Sequence, residues 1–235
     1  MSEAVRQMFT AIARHYDRIN SVLSFGLHHG WRRQAVEYSS VQSGAVVLDL
    51  CSGTADLALA LAHCVGCDGR VVATDFCDTM LFYGVRKAHR RRVPLLFALA
   101  DAQRLPFYDA TFDCVTVAFG LRNVDCLSTA LQEMYRVLRP GGLALVLEFG
   151  QPQGGIIGPL YRFYSRSILP RIGAWLSGHL DAYAYLPRTA AVFPAGAQFC
   201  QAMAARDFTE VQARALHRGI VYLYRARRPS PEHVS

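Results

Sequence analysis

Ala45-Val-Val-Leu-Asp-Leu50, with the turn Cys51-Ser-Gly-Thr-Ala-Asp56 behind it, decides the fold. A short apolar run rich in β-branched residues and ending in an acid is the pattern of a buried parallel strand. Small residues then make a tight turn, and Asp56 opens an Ala/Leu-rich stretch of helical character. The cycle recurs downstream. Arg70–Asp75 reads as a second strand with a helix over 78–92, and Leu95–Ala100 as a third strand running up to Asp101. Phe112–Phe119 is a fourth, followed by a helix over 125–138, and Arg139-Pro-Gly-Gly142 turns into a fifth, Leu143–Phe149. Strands alternating with helices at this spacing predict an α/β, Rossmann-like fold with a mostly parallel sheet and helices on both faces. Runs at Phe208–Ala213 and Gly219–Ala226 bring the count to seven strands and predict an antiparallel hairpin at one edge.

Four segments surround this pattern in one structural domain. Residues 1–42 carry apolar residues at helical spacing over 3–18 and again from Trp31 to Tyr38, residues 43–150 hold the core, 151–206 a helical insertion, and 207–235 the edge hairpin and tail. A chain of 235 residues, 52% hydrophobic and 18% charged, can bury a sizeable core and is not of disordered composition. No run of 18 or more residues is apolar and uncharged, and the first 18 lack the apolar centre of a signal peptide, so a cytosolic protein is expected. Seven cysteines, an odd number with apolar neighbours, read as reduced thiols; Cys64-Val-Gly-Cys67 has no second pair, so no metal is expected. The net charge of +7 raises a nucleic-acid partner, but only Arg86, Lys87 and Arg90–Arg92 cluster, on a predicted helix. That pattern favours a solvated helix face over a phosphate-binding surface.

In an open α/β sheet, ligands bind beyond the carboxyl ends of the strands. The first end offers Asp49 and the turn Cys51–Asp56, whose small side chains admit a ligand close to backbone. The second offers Asp75, about 20 residues beyond Gly53, where a carboxylate can take a ribose diol. The third offers Asp101 and Ala102, and the fourth Gly120-Leu-Arg-Asn123. A dinucleotide would want three glycines at the first turn, and the acids at 49 and 56 would repel a diphosphate. Those acids suit a cationic ligand that carries a ribose and no phosphate, which is the description of S-adenosylmethionine.

The sequence resembles the class I S-adenosylmethionine-dependent methyltransferases, and within them the ubiquinone/menaquinone-biosynthesis C-methyltransferases, the UbiE family. The resemblance runs from about Val5 to Arg225. Its specific segments include Tyr16-Asp-Arg-Ile-Asn20, Leu23-Ser-Phe-Gly-Leu-His28 with Trp31, Val47-Leu-Asp-Leu50, Leu105-Pro-Phe107, Phe119-Gly-Leu-Arg-Asn-Val124, Met134–Gly142, Leu169–Gly173 and Tyr183-Ala-Tyr-Leu186. It implies a class I methyltransferase fold and cofactor contacts at Asp49, Gly53, Thr54, Asp75, Asp101, Ala102 and Ala118. It implies Arg122 and Asn123 on the substrate side, and Tyr16 with Asp17 closing the site. The implied reaction is methylation of a ring carbon in a polyprenylated quinol, either demethylmenaquinol or the benzoquinol of ubiquinone synthesis. On this reading Arg122 stabilises the ring phenolate and Asn123 orients it. His28 is a candidate base, with a structural hydrogen bond in the N-terminal segment as the stronger reading. A lipophilic quinol partner suggests membrane contact through the aromatic and arginine-rich residues 156–193, and a homodimer is left open.

Several positions depart from the family pattern, among them Leu223-Tyr-Arg-Ala226, where a Leu-His-x-Gly ending is usual. Ser52 and Ala55 stand in the first loop where glycines are usual, and Ala118 stands where a serine is usual. A positive φ at Ala55 would cost on the order of 1 kcal/mol. These departures keep two alternatives in view: a different phenolic acceptor, or a catalytically weakened binder of the cofactor.

Overall fold

The computed structural model describes residues 2–152, 157–169, 171–173 and 180–230. Seven strands form one sheet in the order β3-β2-β1-β4-β5-β7-β6. They are β1 Val46–Leu50, β2 Arg70–Asp75, β3 Leu96–Leu99, β4 Phe112–Ala118, β5 Leu138–Phe149, β6 Thr209–Leu216 and β7 Val221–Arg227. β3, β2, β1, β4 and β5 run parallel; β7 pairs antiparallel with β5, and β6 closes the edge. The chain leaves β1 in one direction and returns through β4 in the other, so a crevice opens above the carboxyl ends of these two central strands.

Period-two side-chain alternation builds a core on each face of the sheet. Leu48, Leu50, Val115, Val117, Ala144 and Val146 face one way, against Ala130, Leu131 and Met134 of α6 (Leu127–Val137) and Phe199 of the helix Ala197–Ala204. Val47, Val71, Ala73, Leu143, Leu145 and Leu147 face the other, against Trp31 and Ala35 of α3 (Leu27–Ser39) and Leu57, Ala58, Leu61 of α4 (Asp56–Val65). α5 (Asp78–Arg91) follows β2 and carries Asp78 in its first turn and His89, Arg90 and Arg91 in its last. The arginine cluster therefore meets the carbonyl end of a helix dipole.

Two boundaries differ from expectation. β5 begins at Leu138, because Phe112 already pairs with Leu138 before the register shifts ahead of Cys114 and Leu143. The expected single helix over 3–18 is two, α1 (Glu3–Ile12) and α2 (Tyr16–Leu23). The break lets Phe9 and Ala13 pack on Cys77 and Met80 while Ile19 and Leu23 pack on Leu169. The insertion contributes α7 (Ile157–Phe163), continued by a wider turn over Tyr164–Ile168, and the helix Leu180–Val192. Trp175 lies outside the described residues, as do the side chains of Arg162, Arg166 and Tyr183. Among the described residues no helix is long and apolar enough to cross a membrane, and no group of three or more His, Cys, Asp or Glu is placed to hold a metal.

Candidate active site

The β1 and β4 ends enclose a cavity of about 580 Å³. Asp49, Cys51, Ser52, Gly53 and Thr54 line it from the first turn, Asp75 and Phe76 from the second, and Ala118, Phe119, Gly120 and Asn123 from the fourth. The backbone is strained around it: Cys51, Ala55 and Phe119 all have positive φ, at +51°, +64° and +59°. Each costs on the order of 1 kcal/mol, held in place by the packing around it. Ala55 thus adopts the conformation expected of it, yet its methyl group is fully buried on the Gly84 side and does not crowd the cavity. Gly120 is required for a different reason: a Cβ there would collide with the Cβ of Cys51, so only glycine lets the two strand ends approach.

Two buried carboxylates dominate the cavity. Asp49 accepts from Thr116 Oγ1 at 2.7 Å through Oδ1, while its Oδ2 is buried with no partner. Asp75 accepts from Gly53 N at 2.8 Å and Cys77 N at 2.9 Å. It ties the first turn to the second and keeps lone pairs for a diol. Burial pushes each carboxyl up to about 6. Asn123 also has a buried, unpartnered oxygen, Oδ1. These orphaned atoms are groups that await a polar ligand, and their chemistry fits the amino, sulfonium and ribose groups of S-adenosylmethionine.

A second, apolar chamber of about 1070 Å³ adjoins the first, sharing Tyr16, Arg32 and Phe119 as a wall. Trp31, Phe149, Tyr161, Tyr164 and Leu169 are among its lining residues, with Asn20, His28 and Arg122 among its polar groups. Arg122 Nη1 donates to Glu148 Oε1 at 2.8 Å and to the carbonyl of Phe119, and its guanidinium lies 5.2 Å over the Phe149 ring. Glu148 is fully buried, so it offsets the arginine's charge; Arg122 Nε remains buried without a partner.

The expected site residues are therefore divided. Asp49, Gly53, Thr54, Asp75 and Ala118 converge on the first cavity, and Tyr16 lines both. Asn123, expected beside the substrate, faces the first cavity instead, because the short turn Leu121–Asn123 sends consecutive side chains to opposite sides. Asp101 and Ala102 do not line the cavity; Asp101 accepts from Gln103 N and Ala102 packs in the core. His28 reaches the chamber, but its Nδ1 pairs with Ser24 Oγ at 2.7 Å, and burial with the Arg32 charge lowers its pKa to about 4. An imidazole that weakly basic is a poor acceptor for the proton of a phenol whose pKa is about 10.

Sequence reasoning missed three residues. Lys87, the only lysine in the chain, is 6% exposed and bonds Asp17 at 2.6 Å, Asp56 at 2.8 Å and Thr54 Oγ1 at 3.0 Å. Thr54 in turn donates to Asp17 at 2.6 Å, so its hydroxyl and Asp56 belong to a latch between α2, the first turn and α5, leaving Thr54 its backbone for a ligand. A lone lysine among 25 basic residues was the available signal. Glu148 was signalled by being the one acid in an apolar strand. Arg32 was signalled only by its place beside the buried Trp31.

The sequence matches the family described as the ubiE/COQ5 methyltransferase family over residues 1–228. It is 42% identical over 224 residues to the ubiquinone/menaquinone biosynthesis C-methyltransferase UbiE of Bdellovibrio bacteriovorus, covering 95% of each chain. It is 41% identical over 222 residues to the demethylmenaquinone methyltransferase of Deinococcus radiodurans, covering 94% of this chain and 91% of that one. Among solved structures it resembles a S-adenosylmethionine-dependent methyltransferase of Thermotoga maritima, with TM-score 0.66 at 18% identity over 94% of this chain and 99% of that one. A second, from Aquifex aeolicus, gives 0.60 at 16% identity over 84% and 89%. At such identities the likeness is one of fold.

Proposed function

Since the chain belongs to the ubiE/COQ5 methyltransferase family, we propose that this S-adenosylmethionine-dependent methyltransferase alkylates a ring carbon of a polyprenylated quinol. The observation that carries the acceptor's class is the pair of cavities meeting at Tyr16, Arg32 and Phe119: one acidic and polar, the other broad, aromatic and apolar. The curated relatives named above support methyl transfer in quinone synthesis, and neither a different phenol nor a weakened binder finds support among them.

When bound, S-adenosylmethionine supplies an electrophilic methyl group that a carbon nucleophile can take in line. Asp49 would take its amino group and Asp75 its ribose, with Asn123 Oδ1 a further acceptor. In the chamber, the unused Nε–H of Arg122 is a donor for an ionised ring oxygen, and Glu148 holds the guanidinium in register for it. Because Glu148 compensates the charge, Arg122 acts by a directed hydrogen bond more than by net field. Arginine does not give up its own proton, so Arg122 is not the base. Tyr16 and Phe119, on the shared wall, set the approach of ring to methyl group.

The acceptor's tail belongs in a bilayer, and the chamber's rim suits contact with one. Phe25 is 77% exposed, Phe163 58% and Leu27 41%, with Phe25 and Leu27 lining the chamber and the Phe25 ring tilted against Tyr164 at 5.9 Å. Exposed arginines at 18, 171 and 188 lie on the same N-terminal and inserted segments.

The purified protein should convert demethylmenaquinol to a C-methylated product with labelled cofactor. Arg122→Ala should lower kcat by about 10²-fold with cofactor affinity nearly unchanged. Loss of cofactor binding in that variant would refute the role given to Arg122, and absence of methylation by the wild type would refute the acceptor.

A further inference from the structure

Arg32 is the one cationic side chain among the described residues that line the first cavity, where it faces three carboxylates, Asp49, Asp56 and Asp75. Its side chain is 13% exposed, and its Nη1 is buried with no hydrogen-bond partner. The Asp56 carboxylate stands 3.9 Å away, beyond hydrogen-bonding distance, and is itself engaged by Lys87 at 2.8 Å. A buried guanidinium N–H without an acceptor is unfavourable, so such a group persists where a ligand completes it. The same cavity holds a second orphan of opposite sign, Asp49 Oδ2. The Arg32 charge is near enough to act on the Asp49 carboxyl. A cation and an anion lining one cavity, each with a buried atom that lacks a hydrogen-bond partner, are complementary to a zwitterion, an α-amino acid group with its ammonium and carboxylate on one carbon.

We propose that Arg32 is the receptor for the carboxylate of the methyl donor's amino-acid end, opposite Asp49, which takes the ammonium. The assignment rests on the cofactor reading above and adds to it the residue that distinguishes the whole donor from its truncated forms. A guanidinium suits the task because its fork matches a carboxylate in two parallel hydrogen bonds. Position adds a consequence. Arg32 also borders the chamber and lies 5.8 Å from the centre of the Phe119 ring. A carboxylate bound at Nη1 therefore neutralises a cation on the wall between the two cavities, which leaves Arg122 as the guanidinium that meets the acceptor.

Calorimetry with two ligands tests this: S-adenosylmethionine and its decarboxylated analogue, which keeps the ammonium, sulfonium and ribose. Wild-type protein should bind the first at least tenfold more tightly. Arg32→Met should lose that preference, weakening S-adenosylmethionine at least tenfold while leaving the analogue within twofold. Arg32→Lys, which keeps charge but not the fork, should fall between them. Unchanged binding of the analogue also reports that the variant is folded. Equal weakening of both ligands would overturn the proposal in favour of a structural role. Unchanged donor affinity with a raised KM for the quinol would overturn it in favour of the acceptor. If Arg32→Met does not fold, the wild-type preference decides, and equal affinities overturn it. Wild-type protein that binds neither ligand would overturn the cofactor reading and this assignment together.

Discussion

Asp49 shows how a single side chain can trade stability for binding. Its carboxyl is fully enclosed, has one partner in Thr116, and titrates at about 6 because burial disfavours the charge. A carboxyl whose folded pKa exceeds its unfolded value loses stability as pH rises through that interval, so at pH 7 the ionised Asp49 is a cost to the ligand-free protein. Asp49→Asn should therefore raise stability at pH 7 by on the order of 2 kcal/mol, measured by denaturant melts, while donor binding falls below detection. The same titration predicts that donor affinity weakens by about tenfold per pH unit below 6, since protonation removes the charge that meets the ammonium. A wild-type Kd flat between pH 5 and 7 would contradict this. At this scale the sequence was legible where small residues or a strand-ending acid stand out, as at Asp49, Gly53 and Asp75. It was not legible for Arg122 and Asn123, whose adjacent side chains part company only because a three-residue turn rotates them. The identity of the residues was plain; their direction was not.

At the scale of elements, the α1–α2 segment is held to the core by the latch among Lys87, Asp17, Asp56 and Thr54, by Thr10 against Cys77, and by small apolar clusters. Lys87 lies at the centre of that latch, inside α5, whereas its arginine neighbours point to solvent. Lys87→Met leaves two carboxylates facing each other and should destabilise the protein by about 3 kcal/mol. The loss should be local, seen as faster proteolysis between residues 3 and 25 with the sheet still protected. Simultaneous loss of protection in β1 and β4 would show that the segment and core unfold as one. Strand positions were readable because buried parallel strands are nearly continuous apolar runs. The division of the first helical stretch was not, because no proline or glycine marks it; the break comes from two packing partners, α5 and Leu169, far off in sequence. The Arg122–Glu148 pair was hidden for the same reason, since only the β4–β5 pairing brings residues 26 positions apart together.

Over the whole molecule, charge and apolarity are sorted by depth. The acidic cavity sits at the sheet's centre, the aromatic chamber adjoins it, and the chamber's rim carries Phe25 and Leu27 out to solvent. Phe25→Asp should cut binding to anionic vesicles about tenfold and raise KM for a long-tailed quinol, with a tail-less quinol unaffected. An equal effect on both quinols would place Phe25 in ring binding instead. The net charge, which first suggested a nucleic-acid partner, resolves into a helix-end cluster, two site arginines and exposed arginines such as those at 18, 171 and 188. The sole lysine gives this distribution a practical side. Every other basic side chain except the histidines is arginine, so amine-selective acylating reagents meet only one lysine side chain, and that one is shut inside the latch. The rate at which Lys87 becomes acylated is then a direct clock for opening of the N-terminal segment, and a ligand that closes the segment slows that clock without any engineered label.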